Sequence, residues 1–500
     1  MLGILLALAY TFLFIFLIKR WSFFQIDGIS RNALTSVFIV KLFFGVVFWA
    51  VYTYYYTDKA DAFLYFNDGK AIYQAFYERP LDYIKILLGS DDPALFHYIK
   101  MTGHWDRTFN QGLYNETRTI IRFNAIADVF SFGNYHVHTV FICFLSLMGL
   151  TGLYKTFSPF LKNKKRELFA IIFLFPSLLF WGSGVLKEGL IFFAMGMLLY
   201  HFQKLLHEPF SVKRPVFVFL FAALLSITKI YILLFLMPAL IAHTWIAKTG
   251  NRNAAIKYLV VFISLTGIVL LQKKFDVPYM LMDKQRQSIY MAAGGTYLGK
   301  QNENRFVYIK REDSVHHVIQ FPDKKGYCKI IPGTDYVTWY GDDYTDSTYV
   351  RHSNDTTTYW IYYDQKEAGS RIEIPLLYPS YTSILKNAPS AFLTTVFRPT
   401  VFEIKNPMML MSAFENVFTI IFILLCLVFI SKKTENRHLI YFCLSIVILL
   451  FVLVGLSTPI LGAIVRYKIP ALPFFLIAFL LMLDKEKLLE KLPFMKKFIR

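Results

Sequence analysis

About eleven runs of apolar residues follow one another along this chain, each near the length a helix needs to cross a bilayer. Their limits are close to 2–18, 35–56, 137–155, 167–182, 187–205, 214–228, 230–247, 256–272, 412–430, 438–456 and 468–483, the sixth being short. Nothing else in the sequence constrains the fold so strongly. Lipid offers no hydrogen bonds, so a spanning backbone must satisfy itself, and runs of this length do so as helices. The chain is therefore read as an all-α polytopic membrane protein. Composition agrees: 56% of residues are hydrophobic and 17% charged, against about 45–50% and about 25% in soluble chains.

The net charge of +19 would suit a nucleic-acid partner, but the basic residues sit in short loops between apolar runs. That placement reads as membrane topology and contact with anionic lipid, so the expected partner is the bilayer and not nucleic acid. Lys19, Arg20 and Arg31 separate the first two runs. Lys162, Lys164, Lys165 and Arg166 separate the third and fourth. Lys204, Lys213 and Arg214 follow the fifth, and Lys248, Arg252 and Lys257 follow the seventh. Lys432, Lys433 and Arg437 follow the ninth, and the tail carries Lys485, Lys487, Lys491, Lys496, Lys497 and Arg500. Simple alternation puts every one of these segments on one side. The positive-inside rule makes that side cytoplasmic, with the N-terminus outside and the C-terminus inside. Residues 1–18 lack a basic leader and a small-residue cleavage site, and are read as a retained helix. Cys143, Cys426 and Cys443 lie in apolar runs and Cys328 in a long loop, so no disulfide framework is expected.

Three regions follow. Residues 1–272 form an N-terminal bundle, 273–411 an extracytoplasmic insertion, and 412–500 the last helices and a basic tail. The outer loop 57–136 carries helical spacing at Ala71, Ile72, Ala75 and Phe76 and at Leu81, Ile84, Leu87 and Leu88, which suits helices lying in the interface plane. The insertion has strand-like stretches at 305–310, 317–321, 336–340 and 359–363, punctuated by Pro332-Gly333 and Gly341-Asp342-Asp343, and reads as a small β-rich domain. Asn115-Glu116-Thr117 and Asn354-Asp355-Thr356 are glycosylation-type triplets of a kind common by chance.

Chemistry is expected where polar groups meet apolar runs on the outer face. The stretch 180–189, Phe-Trp-Gly-Ser-Gly-Val-Leu-Lys-Glu-Gly, links two such runs and carries Ser183, Lys187 and Glu188. Charges at that depth are expensive and usually functional; the plainer reading is a polar hairpin whose charges snorkel to the interface. The same face collects Asp58, Asp61 and Asp68 after the second run, Lys229 between the sixth and seventh, Arg398 and Glu403 before Glu415, and Arg466 and Lys468 near the last run. Lys187, Lys229, Arg398, Arg466 and Lys468, with Glu188 beside them, are candidates to hold a substrate phosphate or diphosphate. Asp68 or Asp61 is the candidate general base. Each has an ordinary alternative: a solvated Asp, a snorkelling Lys (Lys468 and, in the second run, Lys41), a local Arg398–Glu403 pair. No motif calls for a cofactor. A divalent metal stays open, although His316-His317 and His136/His138 lack ligand spacing and read as surface histidines. Nothing in the sequence sets an oligomeric state.

In layout and in three short stretches the chain resembles the GT-C superfamily of polytopic glycosyltransferases. The stretches are Asp61…Asp68 with Tyr73, Pro176-Ser177…Ser183-Gly-Val-Leu-Lys-Glu188, and Arg466-Tyr-Lys-Ile-Pro470, about a tenth of the chain. The resemblance implies an outward-facing active site, a polyprenyl-phosphate-linked sugar or glycan as substrate, and a catalytic aspartate in the first outer loop. The departures are that the acidic loop follows the second run, that the carboxylates are not adjacent, and that the large outer domain is not C-terminal. An exopolysaccharide or O-antigen polymerase or ligase is the alternative, and a non-catalytic transporter or envelope component the second.

Overall fold

The computed structural model of the chain describes residues 2–56, 60–90, 92–105, 115–272, 275–300, 305–310, 318–320, 327–340, 348–354, 357–431 and 436–495. Among them, eight helices are long and apolar enough to cross a membrane: Leu2–Arg20, Arg31–Tyr55, Tyr135–Phe160, Lys187–His207, Lys213–Thr249, Ala254–Leu271, Pro407–Val428 and Arg437–Ser457. A ninth is formed if Leu461–Lys468 and Leu472–Met482, bent by 63° at their junction, make one span. The protein is a helical membrane protein with a small sheet.

The chain divides into two compact units. One comprises Met1–Thr266, Phe418–Val447 and Ile469–Arg500, the other Gly267–Val417 and Ile448–Lys468. In the first unit we label α1 (Leu2–Arg20), α2 (Arg31–Ala50), α3 (Asp61–Glu78), α4 (Pro80–Leu88), α5 (Thr117–Ser131), α6 (Tyr135–Phe157), α7 (Pro176–Trp181), α8 (Lys187–His207) and α9 (Lys213–Thr249). Helices α6 and α8 touch backbone to backbone. A Cβ on Gly196 would sit 1.9 Å from the Gly149 carbonyl oxygen, and one on Gly149 would sit 2.0 Å from that of Phe192. Lipid gives helices no hydrophobic reason to associate, so close approach of small residues and the dispersion it brings hold such pairs together.

The run expected to span at 167–182 is not a continuous helix. A short helix Lys165–Phe169 passes into a π turn, Ala170–Leu174, before α7 begins at Pro176. Proline has no N–H to donate and excludes helical geometry at its predecessor; Phe175 is extended, with φ −68° and ψ 126°.

The spans expected at 214–228 and 230–247 lie within one 37-residue helix, α9, interrupted at Lys229, whose φ of −159° and ψ of 86° are not helical. Its two arms run back along the same neighbour. Phe217 stacks on His201 near the end of α8. Lys229 reaches the Glu116 carboxylate, as does Lys187 at the start of α8. His243 is then again beside Gln203, 3.3 Å away. Lys187 and His201 are about 21 Å apart along a helix, so α9 is a hairpin turned at Lys229. Beside the interruption, the Thr119 hydroxyl donates to the Ile227 carbonyl.

The basic segments of this unit meet at the opposite end from Lys187. Lys165 contacts Asp27, Lys485 bonds Glu167 at 2.7 Å and the Asn163 carbonyl at 3.0 Å, and Asn436 reaches the Phe160 carbonyl. Lys41 does not snorkel. It is fully buried in α2, and its Nζ donates to the Gly182 carbonyl at 3.1 Å, placing a cation at the C-terminus of α7, where the helix dipole favours it. At α4, Leu81, Ile84 and Leu88 form an exposed apolar stripe, while Tyr83 and Ile86 are buried.

The second unit contains a seven-stranded antiparallel sheet in the order β3-β4-β7-β1-β2-β5-β6, from β1 (Gly295–Lys300), β2 (Arg305–Lys310), β3 (Val318–Gln320), β4 (Tyr327–Ile330), β5 (Thr334–Tyr340), β6 (Thr348–Ser353) and β7 (Thr358–Gln365). Strands β2, β3, β5 and β7 fall on the four stretches that alternation marked. Leu298 opposite Val307, and Cys328 opposite Tyr359, join Ile309, Ile330 and Tyr336 in one core. Cys328 is packed there as an apolar residue.

Candidate functional site

The first unit buries Asp68 among fixed donors. Asp68 lies on α3, which crosses α5 closely enough that a Cβ on Gly69 would come within 2.5 Å of Asn124 Cβ. The side chain of Asp68 is 8% exposed. Its Oδ1 accepts from the Gly103 N–H at 2.9 Å, and its Oδ2 from the His104 N–H at 2.9 Å. The His104 ring completes the set, with Nδ1 3.1 Å from Oδ2. The short loop carrying these donors is itself clamped. Asn115 Nδ2 donates to the His104 and Trp105 carbonyls, Arg118 Nε donates to the Trp105 carbonyl at 2.7 Å, and the guanidiniums of Arg118 and Arg122 lie about 5 Å from the Trp105 ring. The Asn115 amide is thus used inside the fold and is buried, so this triplet is not presented for glycosylation. Asn354 is described but Thr356 is not.

Beside Asp68 is a seat made of two lysines. Lys187 opens α8 and Lys229 sits at the hairpin of α9. Both ammonium groups approach the same oxygen, Oε1 of Glu116, with Lys187 at 3.0 Å and also 3.4 Å from Thr117 Oγ1. The lysine side chains are 7% and 13% exposed, and that of Glu116 is 32% exposed. Burial alone would raise the Glu116 pKa; Lys229 first and Lys187 second outweigh it and hold the carboxyl at about 2. Tyr65, one turn before Asp68 on α3, joins the two features. Its ring centroid is 5.8 Å from that of His104 and 5.7 Å from Lys187 Nζ. Glu188 is buried next to Lys187, and Asp61 is exposed at the start of α3. Asp58 lies outside the described residues.

No family model, curated protein or solved structure matches this chain. The site therefore stands on its own geometry.

Under the α3–α5 crossing lies a fully buried pair, His138 and Asp128, with Nε2 2.9 Å from Oδ1. Ser131 Oγ is 2.8 Å from the same ring nitrogen, and Asn124 Oδ1 is 2.8 Å from Nδ1. The reading of His138 as a surface histidine is corrected, because α5 and α6 close over it. His316 and His317 lie outside the described residues, and no group of three metal-ligating side chains occurs among those described.

The remaining candidates belong to the second unit. Arg398 is paired with Glu403 through Nε at 2.7 Å and through Nη2, and the Thr400 N–H donates to the other Glu403 oxygen at 2.8 Å. Burial would raise the Glu403 pKa, but these bonds, Arg398 foremost, lower it. Lys468 does not snorkel. It is 2% exposed, and its Nζ donates to Asn416 Oδ1 at 2.9 Å and the Thr395 carbonyl at 3.2 Å. Arg466 is half-buried on the same short helix, and Glu415 is buried.

Sequence reasoning missed His104, Glu116 and Tyr65. His104 and Glu116 lie on either side of residues 106–114 with no periodic signal. Only Glu116 had a cue: it is the middle residue of a triplet read for its asparagine.

Proposed function

We propose that the protein is an integral membrane glycosyltransferase that moves a sugar from a polyprenyl-phosphate-linked donor to an acceptor on the extracytoplasmic face. The observation carrying this reading is the junction at Tyr65, with a buried carboxylate–imidazole pair on one side and a two-lysine anion seat on the other. Glycosyl transfer needs those two things: a group to take the acceptor's proton and cations for the leaving phosphate. Asp68, with His104 held against it, takes the proton from the attacking hydroxyl. The oxygen so freed bonds to the sugar's anomeric carbon as the bond from that carbon to the phosphate oxygen breaks. The electron pair leaves on the phosphate, beside Lys187 and Lys229. Charge then grows where two cations already stand, which is how fixed electrostatics accelerate a reaction. Glu188, buried next to Lys187, supports it.

Topology supports the reading. A 37-residue helix is about 56 Å long, nearly twice the roughly 30 Å hydrocarbon core, and α9 folds back on itself. Counting its arms separately, and counting the broken segment before α8 and the bent pair as crossings, restores eleven spans. The basic loops then face the cytoplasm, and the Asp68 site faces outward. The exposed stripe of Leu81, Ile84 and Leu88 suits a helix lying in the interface plane.

The test is mass spectrometry of lipid-linked and surface glycans from wild type, a deletion strain, and the deletion strain carrying Asp68→Asn. Loss of one defined sugar in both mutants supports the proposal. Shortened polymers would favour a polymerase or ligase, and unchanged glycans in the deletion would overturn an enzymatic role.

A further inference from the structure

We infer that Glu116 is a resident anion: the chain's own carboxylate occupies the seat between Lys187 and Lys229 in the substrate-free protein, and a phosphate or diphosphate group binds there by displacing it. The inference rests on the proposal that this seat takes the donor phosphate, and it adds that the seat is closed by competition from within.

Four observations carry it. First, the two ammonium groups converge on one oxygen of one carboxylate. A phosphate or diphosphate offers several charged oxygens to the same pair and matches it better than a single carboxylate. Second, the seat opens through Glu116. The lysines are almost covered, whereas about a third of the Glu116 side chain meets solvent, so an incoming anion meets Glu116 before the ammonium groups. Third, the backbone beside Glu116 is held independently. Asn115 donates to the His104 and Trp105 carbonyls and accepts from the Thr117 N–H at 3.0 Å, and Thr119 is tied to Ile227. The Glu116 side chain can therefore swing about its own torsions while the loop below Asp68 stays in place. Fourth, Lys187 is the first residue of the 21-residue helix α8. The helix dipole adds positive potential at the same end.

The arrangement has a physical use. Nearly buried lysines need anionic partners, because an uncompensated buried charge is strongly unfavourable. Glu116 is a shared partner of both and keeps the seat organised until a more highly charged ligand replaces it. Small carboxylates and monovalent anions compete poorly, because they offer nothing beyond what Glu116 already supplies. Diphosphate and lipid-linked phosphates do, so the exchange also selects for charge.

The experiment uses the full-length protein in detergent, with inorganic diphosphate as the probe. Calorimetric titration is expected to show binding to wild type, binding at least about fivefold tighter to Glu116→Gln, where the competitor is uncharged, and loss of binding in Lys187→Gln and Lys229→Gln; a seat filled by an internal competitor lowers apparent affinity by the fraction of seats left open. Hydrogen exchange on wild type gives a second reading that needs no variant to fold. Diphosphate should slow exchange of the first amides of α8 beside Lys187 and leave the 115–119 amides unchanged, because Asn115 and Thr119 hold that backbone whether or not Glu116 is seated. Diphosphate binding that Glu116→Gln weakens, or exchange at the start of α8 that stays unchanged with diphosphate bound, would overturn the inference. An absence of diphosphate binding to wild type and Glu116→Gln alike would also overturn it. The readout is binding, so tighter binding in Glu116→Gln together with unchanged cellular glycans in the deletion strain would sustain the exchange while refuting the transferase.

Discussion

Asp68 and Asp61 are seven residues apart on one helix, and the fold treats them differently. Asp68 is buried and accepts from three donors, while Asp61 is exposed at the helix start. Asp68→Asn keeps the shape but not the charge, and it should lower the glycan product by about 10²–10⁴-fold, the usual contribution of a positioned base. Asp61→Asn should leave the product near its wild-type level. Mass spectrometry of the product in complemented deletion cells reads both. Glu116 gives a pH prediction. Its folded-state pKa of about 2 lies below the ordinary 4.5. The lysine clamp therefore contributes stability that is complete above about pH 4.5 and is lost as the pH falls from there toward 2. The melting temperature of the detergent-solubilised protein should drop across that window, and drop less in Glu116→Gln.

At the scale of elements, the contacts that matter are close approaches between helices. Gly196→Ala would put a methyl group into the Gly149 backbone. Backbone cannot move aside as a flexible side chain does, so the α6–α8 pair must separate. A loss of about 1–3 kcal/mol or more is expected, seen as a lower melting temperature and a lower yield of monodisperse protein. At the hairpin of α9, Thr119→Val keeps the shape and removes the donor to the Ile227 carbonyl. Losing a hydrogen bond of this kind is unfavourable by about 0.5–1.5 kcal/mol. Because the same turn positions Lys229, this variant should also weaken diphosphate binding, whereas Gly196→Ala should act on stability.

For the whole molecule, the prediction concerns sidedness. Single cysteines replacing Lys19, Lys162 and Lys487 in a chain lacking its natural cysteines should be shielded from a membrane-impermeant maleimide in intact cells, and labelled once the membrane is opened. Cysteines at Asp61 and Lys366 should label in intact cells. The reverse pattern would invert the topology and remove the extracytoplasmic reading of the site, and a mixed pattern would refute simple alternation of the spans.

Much of this was legible in the residues. Apolar runs declared the membrane helices, because in lipid only a helix or a closed barrel satisfies its own backbone. Alternating side chains declared β2, β3, β5 and β7, because a half-buried strand repeats every two residues. These are local signals, written within a dozen or so residues. The interruption before Pro176 was also local, but apolarity across the gap masked it. What the sequence could not declare was partnership. Asp68 meets His104 across 36 positions, and Lys187 and Lys229 meet Glu116 across 71 and 113. No spacing encodes such distances, since they depend on how α3 crosses α5 and on where α9 turns. The sequence by itself determined that the chain enters a membrane and which charges stand at the ends of its spans. Only the tertiary structure decided which of those charges find each other. Burial makes that decision: a charge withdrawn from water must be met by a donor or a counter-ion, and packing chooses the one within reach.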